Sequence, residues 1–119
     1  MKKFIFFFVA AFLSIAGAAY AHPPEDILLT FNPQTKILTA VVMHHTANPA
    51  SHYIKKAEIK LNGEFVQALY FSRQENKVSQ SFEFPIPNAK DKDMVSVEGY
   101  CSISGQLANG ITVNVRPQS

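Results

Sequence analysis

Four histidines and a single cysteine are the side chains of this sequence best equipped to hold a metal ion. Three of the histidines, His44, His45 and His52, fall in the stretch Met-His-His-Thr-Ala-Asn-Pro-Ala-Ser-His-Tyr-Ile, residues 43–54. The fourth, His22, follows an apolar leader, and Cys101 lies far downstream. Imidazole and thiolate together select transition metals such as iron, zinc or copper over calcium or magnesium. The chemistry therefore depends on whether a fold gathers residues that are distant along the chain.

The leader sets the compartment. Met1-Lys2-Lys3 precedes an apolar run from Phe4 to Ile15, and Ala19-Tyr20-Ala21 has the small-x-small form of a cleavage site. A cleavable signal peptide is expected over 1–21 and one mature domain over 22–119, periplasmic or secreted. The small-residue end favours cleavage over a spanning helix of roughly 20 apolar residues, so no stable membrane insertion is expected afterwards. Cleavage makes His22 the amino-terminal residue, with an imidazole and an amine whose reference pKa is about 8.

Lys2 and Lys3 leave with the leader, which brings 11 basic side chains level with the 9 acidic ones. A neutral domain without a basic cluster argues against nucleic acid as a partner. In an oxidising compartment a lone cysteine cannot form an intrachain bridge. Cys101 is then a packed hydrophobe, a thiol kept for chemistry or half of an intermolecular bond.

The elements that must position these groups read as strands. Ile27, Leu29 and Phe31 alternate with Leu28 and Thr30 before the turn residues Asn32-Pro33-Gln34. From Lys36 to His45, Leu38, Ala40, Val42 and His44 share one face by the period of two. A third run spans His52 to Leu61, and Asn62-Gly63 signals a hairpin into Glu64 to Phe71. Further strands are expected around Val78 to Phe84, from Asp93 to Ile103, and over Ile111 to Val115 after a loop from Gly105 to Gly110. No amphipathic pattern of helical length interrupts them. About seven short strands separated by Gly, Pro and Asn turns predict an all-β, immunoglobulin-like antiparallel sandwich.

Strand parity then decides which side chains can meet. His44 extends the apolar face of Leu38, Ala40 and Val42, and Cys101 extends that of Val95 and Val97. Both are expected to point inward near one end of the sandwich. His52 opens the next strand across the loop from Thr46 to Ser51 and can lie near His44. Adjacent His44 and His45 cannot both face one centre in a regular strand, and parity favours His44.

The same residues carry a resemblance. His44, the run His52-Tyr53-Ile54, Glu58-Ile59 and the late Tyr100-Cys101-Ser102-Ile103-Ser104-Gly105 resemble the iron domain of superoxide reductase and desulfoferrodoxin. That family is an immunoglobulin-like sandwich with non-haem iron held by four histidines and an axial cysteinate. The resemblance implies His44 and His52 as central ligands, Cys101 as the axial thiolate and His22 as the early histidine. It also implies superoxide as substrate and a small electron-donor protein as partner. Ser104 stands where the family has its last histidine, and the family's Glu-Lys before its first histidine has no counterpart.

Two other functions compete. A periplasmic copper-binding protein would use a mature amino-terminal His22 with His44 or His52. A metal-free sandwich would act as a binding or accessory module, using edge strands with Phe65, Tyr70 and Phe71. No Gly-rich phosphate loop and no Gly-x-Ser-x-Gly elbow occur.

Overall fold

A computed structural model describes residues 22–115. The export signal expected over 1–21 lies outside the described residues. The chain runs β1 (Asp26–Asn32), β2 (Ile37–Met43), β3 (Ile54–Leu61), β4 (Glu64–Tyr70), β5 (Ser79–Pro85), β6 (Met94–Cys101) and β7 (Gln106–Thr112). A three-stranded sheet in the order β1-β2-β5 faces a four-stranded sheet in the order β4-β3-β6-β7, and every pairing is antiparallel. This is the expected sandwich.

The core is the set of inward positions that the period of two selects. Leu38, Ala40 and Val42 of β2, Ala57 and Ile59 of β3, and Val95 and Val97 of β6 are all fully buried. Burying the leucine, isoleucine and valine side chains among them stabilises by roughly 1.5–3 kcal/mol each relative to leaving them exposed. Asn62 and Gly63 both take positive φ, at 53° and 84°, as the tight β3–β4 hairpin requires. Phe71 packs against the core, whereas Phe65 and Tyr70 on the edge strand β4 are exposed.

The last strand departs from the sequence expectation. Residues 106–112, rather than Ile111 to Val115, pair with β6, with Tyr100 opposite Gln106 and Met94 opposite Thr112. β7 is an edge strand with mostly exposed side chains, so its polar residues and Gly110 show little alternation. Asn109 on this strand donates to the carbonyl of Ile27 at 2.8 Å, tying β7 to β1 of the facing sheet.

One irregularity bears on the site. In the β3–β6 ladder Ile54 faces Cys101 but Lys56 faces Tyr100, so Lys55 is an extra residue in β3. Such a bulge reverses the inward and outward sense of every residue beyond it. Ile54 is buried together with Ala57 and Ile59, an odd spacing that a regular strand would forbid.

Candidate metal centre

Three segments converge at one end of the sandwich. β2 ends at Met43, and the next residue, His44, keeps the inward sense of Val42 and is fully buried. The chain then turns on Asn48, whose carbonyl accepts the amides of Ser51 at 3.1 Å and His52 at 2.9 Å. The Asn48 side chain accepts the amide of Ala50 at 3.1 Å, a local bond that favours the turn. His52 emerges two residues before Ile54, on the far side of the bulge from Ala57.

The third segment is the amino-terminal arm. Pro24 is buried, and the amide of Glu25 donates to the carbonyl of Met43 at 2.8 Å. The arm is clamped by Glu25, which accepts the backbone amide of His45 at 2.8 Å and lies 2.7 Å from its Nδ1. The His45 hydrogen bonds, backbone first, hold the Glu25 carboxyl below the usual carboxylate range.

The ring centroids of His22, His44 and His52 lie 4.7–5.1 Å apart, and none of the pairs is stacked face to face. One potential ligand atom from each lies within 4.8 Å of the other two. Nitrogens bound to one ion at about 2.0–2.1 Å are at most about 4.2 Å apart, so small ring rotations close the gap. Nε2 of His44 and Nε2 of His52 are buried with no hydrogen-bond partner. Buried polar atoms are nearly always paired, and two orphaned ring nitrogens on neighbouring histidines mark a place for a ligand. Burial, then the neighbouring His44 and His22, lowers the pKa of His52 below its ordinary value, leaving it neutral and ready to bind.

Each sequence candidate can now be located. His22, His44 and His52 form the group. His45 points the other way, 62% exposed and paired with Glu25, which answers which of the adjacent histidines faces the centre. Cys101 is buried and faces inward at the end of β6, opposite Ile54, but it is not part of the three-histidine group. Its sulfur takes a hydrogen bond from the amide of Ile103 at 3.5 Å. On the other face of β6, the Tyr100 hydroxyl lies 2.7 Å from a Glu58 oxygen and 2.9 Å from a Glu98 oxygen, with one hydrogen to share between the two carboxylates. The Glu58 bond, then burial and Glu98, raises its pKa well above the phenol range.

Gln74 is the residue that sequence reasoning missed. It sits in the polar connection between β4 and β5, yet its side chain is fully buried, with Oε1 2.9 Å from His44 Nδ1. A glutamine among polar loop residues has no periodicity to set it apart, so nothing in the sequence singles it out. The chain matches no known family model, no curated protein and no solved structure.

Proposed function

We propose that this is an exported protein that binds one transition-metal ion through His22, His44 and His52. The observation that carries this reading is the pair of buried, unpartnered Nε2 atoms beside the His22 ring. An all-imidazole donor set suits copper, zinc and iron, and copper(II) leads the affinity order among divalent first-row ions. Copper is therefore the first candidate. Export follows from the leader Met1 to Ala21, whose removal would place His22 at the amino terminus.

The His22 ring already bears on how it would bind. Its Nδ1 lies 3.0 Å from the carbonyl of Pro23, an atom that can only accept, so Nδ1 carries the hydrogen and Nε2 is bare. Chelation by a terminal amine together with Nδ1 would require that bond to break.

A second reading is favoured by one observation: the buried thiol of Cys101 lies on the strand paired with β3, opposite Ile54. In a centre like that of superoxide reductase it would join the histidines on iron, with superoxide as substrate and a small electron-transfer protein as donor. Metal analysis of the protein purified from the periplasm separates the readings. Stoichiometric copper lost on His22→Ala, His44→Ala or His52→Ala supports the first. Iron with an absorption band lost on Cys101→Ala supports the second. Protein that stays metal-free after exposure to copper, zinc and iron overturns both and leaves an interaction module.

A further inference from the structure

We propose that Gln74 is a positioning residue of this centre, holding His44 in the tautomer that leaves Nε2 bare for the ion. The inference rests on the three-histidine reading above and follows from an inventory of donors and acceptors. An amide nitrogen has two hydrogens and no acceptor capacity. Nε2 of Gln74 donates to the carbonyls of His44 at 2.7 Å and Asn76 at 2.8 Å, which uses both hydrogens. Flipping the amide would set its oxygen against those two carbonyls and its N–H groups against the amide of Ile54, which now donates to Oε1 at 3.2 Å. Only one orientation of the carboxamide is consistent with its neighbours.

The oxygen is therefore the atom that faces His44 Nδ1, and an amide oxygen only accepts. Nδ1 must carry the hydrogen, and a neutral imidazole protonated there has its lone pair on Nε2. That nitrogen is the buried atom without a partner. The same residue reaches the other ligand segment. Its side chain holds Ile54, two residues beyond His52, and its backbone amide donates to Pro49 in the loop joining His44 to His52 at 3.0 Å. One buried carboxamide thus orients one ligand and ties down the segment bearing a second.

Long-range proton–nitrogen NMR of the metal-free protein reads the His44 tautomer, and competition titrations with Cu(II) and Zn(II) read affinity. Wild type, Gln74→Met and Gln74→Glu are compared. Gln74→Glu keeps an acceptor for Nδ1–H but loses the two donors, whereas Gln74→Met loses everything. Both perturb packing, so a merely structural role would lower affinity alike in the two. The expected result is Nδ1–H in wild type and Gln74→Glu, with affinity within about threefold, and a 10–100-fold loss in Gln74→Met with the other tautomer appearing. A wild-type His44 protonated on Nε2 overturns the role of Gln74 whether or not either variant folds, as does unchanged affinity in Gln74→Met. A wild-type protein in the Nδ1–H form that binds neither ion, and no iron either, overturns the metal reading itself.

Discussion

Pro23 packs so closely on Gly105 that a β-carbon at Gly105 would lie 2.8 Å from the Pro23 Cβ and 2.9 Å from its Cα. Gly105 also has φ +91°, a conformation other residues avoid. The β6–β7 turn therefore forms a seat for the amino-terminal arm, and the seat exists because a side chain is missing there.

Gly105→Ala should consequently behave like a ligand mutation. Displacing Pro23 moves His22, so its metal affinity should fall to that of His22→Ala, by about tenfold or more, the range that outer contacts command at metal sites. Strain at positive φ adds roughly 1–2 kcal/mol of destabilisation. Isothermal titration of both variants checks this, and wild-type affinity in Gly105→Ala would refute it.

Metal should stabilise the fold. An ion at 100 times its Kd adds about 2.7 kcal/mol, which for a domain near 100 residues raises Tm by on the order of 10–20 °C. Differential scanning fluorimetry with metal and then with chelator should show the rise and its reversal. His44→Ala should abolish the rise.

The neighbouring histidine should behave otherwise. His45 makes an exposed contact with Glu25, and such pairs contribute about 0–1 kcal/mol. His45→Ala should reduce metal affinity by no more than about fivefold, through a looser arm. A loss matching that of His44→Ala would make His45 a ligand.

The metal-free protein should be sensitive to mild acid. Burial lowers the folded-state pKa of His52 below the unfolded value near 6.5. The unfolded chain then binds the proton more readily, so stability is complete above that value and is lost as pH falls through the depressed one. Denaturant midpoints measured from pH 8 to pH 5 should decline below about 6.5 in wild type and decline less in His52→Gln.

Deleting Lys55 should spare the centre. Without the extra residue β3 is regular, Ile54 becomes the residue two before Ala57, and it keeps its inward sense opposite Cys101. His52 then keeps its approach to His44. Metal affinity close to wild type is the expected outcome, and a loss as large as that of His44→Ala would show that the bulge itself positions His52.

Much of this architecture was legible because alternation is strong where one face is buried. Leu38, Ala40, Val42 and His44 declared their common side, and Asn62-Gly63 declared its hairpin. β7 was not legible, since an edge strand exposed on most positions lacks the contrast that reveals the pleat. At the site, parity found His44, and the loop placed His52 near it. The bulge at Lys55 and the seat at Gly105 were hidden, because both arise from backbone geometry between segments remote in sequence. Cys101 showed the limit of parity: it gives the face of a residue but not its distance from a point.

Because Glu25 is already tied to Met43 and His45, only three described residues, 22–24, precede that anchor. Whatever grips His22 also immobilises them, and the two events are a single linked equilibrium. Where export cleavage after Ala21 makes His22 the first residue, occupancy should shield this end from aminopeptidases, and trimming His22 should lower affinity as His22→Ala does.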